Sequence, residues 1–154
     1  MTVVTIALAD LDDPRTRALV SAHLSGMRAA SPPESVHALE MAGLQHPDVT
    51  LWSAEVDDRI AGIAALSRLD DTSGEIKSMR VDEAFLGRGI GRALLHHVMG
   101  AARKRGMTRL WLETGSTDEF LAARRLYESE GFIPCGPFGK YRADPFSVFF
   151  TRPL

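Results

Sequence analysis

Two periodicities in the hydrophobic pattern divide the chain, and each stretch predicts an element. The opening TVVTIALA is rich in β-branched residues and predicts a strand. Asp13-Pro14 then supplies an N-cap followed by proline at the first helical position, and Leu19, Val20, His23, Leu24 and Met27 recur at helical spacing. Pro32-Pro33 ends that helix. Ser35 is expected to cap a short second helix carrying Val36, Leu39 and Leu44, which stops near Pro47.

TLWSAEV and RIAGIAALSRL, separated by Asp57-Asp58, predict a β-hairpin, and the turn DDTSG carries the chain into EIKSMRV. Three strands with tight links make an antiparallel meander. Ile90, Leu94, Val98, Ala101 and Ala102 form an apolar stripe with Arg92, His96, Arg103 and Arg105 facing outward, a helix that Gly106 can stop in a left-handed conformation. RLWLETG is an apolar strand. Ser116, with Glu119 three residues later, has the pattern of a capping box for a helix running through Leu126 to Glu130, ended by Gly131. FIP and SVFFT close the chain as strands. The order is one strand, two helices, three strands, a helix, a strand, a helix and two strands: an α/β (α+β) domain with a mixed, mainly antiparallel sheet flanked by helices.

The 154 residues, 45% hydrophobic and 25% charged, are enough for one domain spanning 1–154 with a single substantial core. A net charge of −2, from 18 basic and 20 acidic residues mixed along the chain, gives no general attraction for nucleic acid or a membrane surface. No apolar run approaches the roughly 20 residues needed to span a bilayer, and the N-terminus lacks an export-signal pattern, so a cytoplasmic protein is expected. The one cysteine, Cys135, excludes an internal disulfide and a CxxC metal or redox site. His96 and His97 are adjacent on a helix and cannot form an i, i+4 ligand pair, and no HExxH or GxSxG pattern occurs, so no metal and no serine-hydrolase chemistry are expected.

FLGRGIGRALL packs three glycines into five positions at the start of the third long helix. It is not a Walker loop, because counting from Gly87 reaches Arg92 and Ala93 where lysine and a hydroxyl are required. It is not the dinucleotide GxGxxG either, since the third glycine position is Arg92. Two readings stay open on spacing alone. One is a turn that needs glycine; the other is a pyrophosphate held by unpaired N–H groups at a helix N-terminus, with Arg88 and Arg92 adding charge.

VDEAFLGRGIGRALLHHVMGAARKRG, followed by a strand and then AARRLYESEGF, resembles the GCN5-related N-acetyltransferase (GNAT) family over nearly the whole chain. The family signature R/Q-x-x-G-x-G/A is matched by Gly89-Ile90-Gly91, and its later LY…GF by Leu126-Tyr127 and Gly131-Phe132. RAASPPESVHALE, GEIKSMRV, LETGS and DPFSVFF further resemble a bacterial branch of small acetyltransferases. The resemblance implies acetyl-coenzyme A as co-substrate and a backbone cradle from Leu86 through Gly87, Arg88, Gly89, Ile90 and Gly91 to Arg92. Met79, Arg80 and Val81 would run along the pantetheine, with a backbone N–H among them meeting the oxyanion, and Phe120 and Ala123 would flank the coenzyme. Two positions depart from the family: Leu86 replaces its Arg or Gln, and Phe120 its frequent Asn.

Forming an amide from a thioester needs a neutral amine, an oxyanion partner and a stabilised thiolate. Glu75 is the first candidate base: strand alternation puts Glu75, Lys77, Met79 and Val81 on one face, towards the cofactor cleft. An ion pair with Lys77 is its alternative role. Glu113, ending the next strand where the resemblance implies that two strands splay, is the rival base. Tyr127 corresponds to the family's usual hydrogen-bond donor to the thiolate. The first two helices commonly form the acceptor wall, which draws in Arg28, Glu34, Ser35, His37 and Glu40. The expected reaction is direct acetyl transfer to the amine of a small molecule or amino acid in a ternary complex. Acetylation of a protein amino group and a non-catalytic acyl-coenzyme A sensor are the alternatives, and a homodimer is a common arrangement in the family.

Overall fold

The computed structural model describes residues 3–154. Strand β1 (Thr5–Leu8) leads to helix α1 (Pro14–Ala30), where the Asp13 carboxylate accepts a hydrogen bond from the Arg15 amide and Pro14 occupies the first turn. Ser31 ends the helix. The segment that follows differs from expectation. Ser35 is the last residue of a 3-10 turn, Pro33–Ser35, and α2 is a single turn, Met41–Leu44, beginning after Glu40. Ser35 is no cap because its hydroxyl is drawn into a tertiary contact, donating to Asp144 at 2.5 Å.

The meander forms as expected: β2 (Val49–Val56), β3 (Arg59–Arg68) and β4 (Ser73–Val81) pair antiparallel in sequence. Asp57 and Asp58 both adopt positive φ, +50° and +60°, the geometry that matches the right-handed twist of a hairpin. An L-residue with a Cβ is strained there by about 1–2 kcal/mol. Asp58→Gly should therefore raise Tm by about 2–4 °C, readable in a thermal melt.

Helix α3 (Ile90–Lys104) crosses over the sheet to β5 (Arg109–Gly115), which pairs parallel with β4. A 3-10 turn, Asp118–Phe120, precedes α4 (Leu121–Ser129), and the chain finishes with β6 (Ile133–Cys135) and β7 (Ser147–Pro153). The seven strands lie in the order β1-β2-β3-β4-β5-β7-β6, with β4–β5 the one parallel pair. The expected capping box is absent. Thr117 takes the cap position without a side-chain bond, and the Ser116 hydroxyl donates instead to the Pro145 carbonyl at 2.7 Å, tying two loops together.

Each face of the sheet has its own core. Leu94, Leu95 and Val98 of α3 pack with Leu110, Leu112 and Phe150 on one side, while Leu19 and Val20 of α1 pack with Leu51, Ile63 and Ala65 on the other. Nearly all of these side chains are fully enclosed, and truncating one to alanine costs about 2–5 kcal/mol in such settings.

Candidate active site

Strands β4 and β5 are hydrogen-bonded only from Ser73–Arg109 to Ile76–Leu112. Beyond that point they diverge and leave a cleft through the sheet. A cavity of about 80 Å³ lies there, lined by β4, the end of β5, α1, α4 and the loop before β7. Its walls carry Glu75, Lys77, Met79, Glu113, Tyr127 and Tyr141.

A β-bulge decides which β4 side chains face which side of this cleft. Lys77 pairs with Ala65 but Arg80 pairs with Ile63, so Ser78 and Met79 stand opposite the single residue Ala64, and Ser78 has φ +50°. Strict alternation therefore fails. Glu75, Lys77 and Arg80 share the α1 face, whereas Met79 and Val81 pack against the α3-side core. The expectation that Glu75 and Met79 share one face is overturned: the extra residue reverses every side chain after it. Arg80 likewise turns its guanidinium to α1, against Gly26 and away from the face that carries Met79 and Val81.

Glu75 is buried, and its Oε2 accepts from the Tyr141 hydroxyl at 2.5 Å and from Lys77 Nζ at 3.2 Å. Lys77 also donates to the Tyr141 oxygen at 2.8 Å. The carboxylate oxygen is thus committed to a closed triad, with the Lys77 ion pair that the sequence offered as its alternative role. Tyr141, 66 positions away in sequence, was not singled out beforehand; its only local signal is an aromatic residue in the glycine-rich loop GKYRADP. Burial first, then the Glu75 charge, pushes the Tyr141 phenol far up, so it stays protonated as a donor.

Glu113 has a different environment. Burial raises its carboxyl from 4.5 to about 7, against the smaller opposing pulls of the Ser147 hydroxyl and the Lys77 ammonium. Its proton is therefore exchangeable near neutrality. Tyr127, packed edge-on against Phe132 with centroids 5.9 Å apart, is buried and also held protonated, chiefly by burial. Its hydroxyl has one partner, the Met79 sulfur at 3.7 Å, a weak acceptor.

At the other end of β4 the glycine stretch forms an open cradle. Gly87 and Gly89 have φ of +75° and +79°, and Gly89 caps α3 without any side-chain bond. The amides of Gly87 to Arg92 meet no backbone acceptor among the described residues. Gly91 faces the gap between β4 and α4, where an added Cβ would come within 3.3 Å of Leu126 and 3.7 Å of Met79. Leu86 is exposed, Ile90 is buried in the core, and Arg88 lies 5.4 Å from the Phe85 ring centre, its charge free of any carboxylate among the described residues. Arg92 turns away, bonding to Ser129 and Glu130 at the C-terminal end of α4. Phe120 and Ala123 line the cleft near Tyr127.

Of the five acceptor-side candidates, His37 reaches the cleft, with its ring edge-on to Tyr141 at 4.9 Å. Glu34 lines an outer vestibule of about 410 Å³ that shares His37 and Tyr141 with the cleft. Ser35 is buried beneath it on Asp144. Arg28 pairs with Glu40 at 3.3 Å on the exposed surface and lines neither space, because its helix position points it outward. His23, placed in the apolar stripe of α1 by its spacing, also lines the cleft. Among the described residues no cluster of metal-binding side chains occurs and no helix is long and apolar enough to cross a membrane.

A split parallel pair with an uncapped glycine loop at the start of the crossover helix defines an acyl-coenzyme A transferase fold. Residues 16–132 match the Acetyltransferase (GNAT) family, and the chain belongs to that family. It is 48% identical over 149 residues to the uncharacterized N-acetyltransferase YsnE of Bacillus subtilis (strain 168), covering 97% of this chain and 99% of that one. Identity to the uncharacterized N-acetyltransferase YedL of Escherichia coli (strain K12) is 46% over 150 residues, 97% of this chain and 94% of the relative. The acetyl-CoA-bound crystal structure of a GNAT family acetyltransferase from Elizabethkingia anophelis superposes with a TM-score of 0.70 at 22% identity, covering 98% of both chains. The chain is an N-acetyltransferase of a fold that uses acetyl-CoA, and the open amides and positive-φ glycines suit a pyrophosphate.

Proposed function

We propose that this protein acetylates the amine of a small molecule or amino acid by direct attack within a ternary complex, with Glu113 as base and Tyr127 as donor to the departing sulfur. The observation that carries this is the meeting, in one small cleft, of a carboxyl poised near neutrality and an otherwise barely bonded phenol. Bound acetyl-CoA supplies the acetyl thioester. Glu113 takes the proton that the ammonium must lose before nitrogen can attack the carbonyl carbon. Tyr127 donates a hydrogen bond to the sulfur as the carbon–sulfur bond breaks; of the two protons that nitrogen sheds in going from ammonium to amide, the first passes from Glu113 to solvent and the second protonates the departing thiolate, so charge and atoms balance. A backbone N–H among Met79 to Val81, just after the Ser78 bulge, would meet the oxyanion. Glu75 holds Lys77 and Tyr141 in place.

Amides of Gly87 to Arg92 would hold the pyrophosphate, with Arg88 adding charge, while Met79 and Val81 flank the pantetheine. Arg92 is engaged by Glu130 and adds little. The exposed Leu86 leaves this binding to the backbone. Two loop-to-loop contacts favour a small acceptor over a polypeptide: Ser35 to Asp144 and His37 to Tyr141 fasten the segment after α1 to the loop before β7 across the acceptor end. A protein tail would have to part both.

The test is thermal-shift binding of acetyl-CoA followed by thiol release over a panel of amines, amino acids and peptides. Stabilisation by acetyl-CoA and release with small amines are expected; turnover confined to peptides would overturn the small-acceptor reading. Tyr127→Phe should lower kcat about 10- to 100-fold, the scale of one lost hydrogen bond to a charged sulfur, with little change in Tm because only a weak sulfur contact is removed.

A further inference from the structure

In the walls of the cleft two buried polar side chains have no partner among the described residues. His23 Nδ1 and Ser78 Oγ are buried without a hydrogen bond among the described residues, in residues only 8% and 7% exposed. Both line the cavity that also holds Glu113. The Arg80 guanidinium, half-buried and just outside the lining of that cavity, lies close enough to act on His23. No carboxylate among the described residues pairs with it. Native interiors leave few buried polar groups unsatisfied, so two in one small cleft, with an unpaired guanidinium beside one of them, require an explanation.

Helix α1 has been shaped for the arginine. At Gly26, inside the helix, an added Cβ would fall 2.5 Å from Arg80 Nη1 and 2.9 Å from Nη2. Glycine in a helix interior is unfavourable. Here it seats a guanidinium against the helix backbone.

The three groups share a chemistry. A guanidinium only donates, in a fork that matches a carboxylate; a serine hydroxyl can donate; and a neutral imidazole donates from Nδ1 in one tautomer. Burial and the Arg80 charge hold His23 neutral at ordinary pH, with its pKa lowered to about 4. Glu113, in the same cavity, offers the opposite preference, for an ammonium. A cavity of about 80 Å³ keeps the two ends of any ligand close together.

We propose that Arg80, Ser78 and His23 form a carboxylate-recognition site, so that the acceptor is a small amino acid held by its carboxylate on this wall while its amine meets Glu113. This rests on the acetyl-transfer reading above. The competing source of an oxygen ligand is the thioester carbonyl, which every acceptor shares, so the two are separable by comparing acceptors.

The experiment measures kcat/KM for a panel of amino acids and their amides. The amides have the more readily deprotonated amine, so a preference for the acid cannot come from amine basicity. The best amino acid should exceed its amide at least tenfold, mainly through KM, and Arg80→Gln should bring that ratio to within about twofold of one. Gly26→Ala, which crowds the guanidinium while keeping its charge and favouring helix, should reduce the same ratio. A second readout is independent of turnover. In protein carrying 15N-labelled histidine and saturated with coenzyme A, the His23 Nδ1 resonance should move on adding the amino acid but not its amide. Turnover with equal kcat/KM for acids and amides, or an equal fall for both in Arg80→Gln, overturns the carboxylate site and leaves acetyl transfer standing. No thiol release with any acceptor overturns the parent reading, and this one with it.

Discussion

Glu113→Gln is expected to lower kcat/KM by about 10²–10⁴-fold, the range for removing a general base, and to abolish the acid limb of the pH profile. In the native protein that limb should rise through about pH 7, where the half-buried carboxyl loses its proton. The same substitution should stabilise the fold, in a pH window that identifies the cause. The folded pKa of about 7 lies above the reference value of 4.5, so the protonated form is favoured by folding. Its stability contribution is complete below pH 4.5 and is lost as pH rises through about 7. Glutamine is neutral throughout and escapes that loss, worth about 3 kcal/mol at most on a shift of this size. Tm of Glu113→Gln should therefore exceed that of the native protein at pH 8 and converge with it below pH 4.5. A normal rate and an unaltered pH profile in this variant would return the search for a base to Glu75. Glu75→Gln, by contrast, should act through folding, since it breaks a buried triad rather than an exchangeable carboxyl.

The second large effect is expected at Gly91→Asp. This position lies in the first turn of α3, where a carboxylate is favourable for the helix by about 0.3–1 kcal/mol. The Cβ would press on the end of the flexible Leu126 side chain at 3.3 Å. Apo-protein Tm should therefore stay within about 2 °C of the native value. The new carboxylate would also occupy the amides available to a pyrophosphate and repel its charge. Losing two charge-assisted hydrogen bonds, at about 1.5–3 kcal/mol each, gives at least a 100-fold loss of coenzyme A affinity by calorimetry. A folded variant with native affinity would mean that the pyrophosphate does not sit on this helix end.

Much of this site was legible from local sequence. Asp13-Pro14, the hairpin aspartates, the α3 stripe and Gly106 all specify their structure within a turn or two of chain, through capping, positive φ and apolar period. The glycine stretch was legible for the same reason, as a helix start that lacks a side-chain cap. Two local signals were overridden by distant partners. Ser35 and Ser116 have the form of helix caps, but Asp144 and the Pro145 carbonyl take their hydroxyls. A hydroxyl bonds whichever acceptor folding brings nearest, and 109 residues of separation hide Asp144 from any window around Ser35.

By itself, the sequence determined the order of the elements, the position of the open helix start, and the presence of two glutamates and a tyrosine near the strands that part. Only the tertiary structure gave the two glutamates different surroundings. The bulge at Ser78 depends on how β4 registers against β3, a pairing that no period within β4 encodes. It divides Glu75 and Arg80 from Met79. Tyr141 and Lys77 then engage Glu75, while Glu113 remains half-buried without such a partner. Desolvation and ion pairing are set by what surrounds a carboxyl in three dimensions, and those neighbours come from strands, loops and helices far apart in the chain.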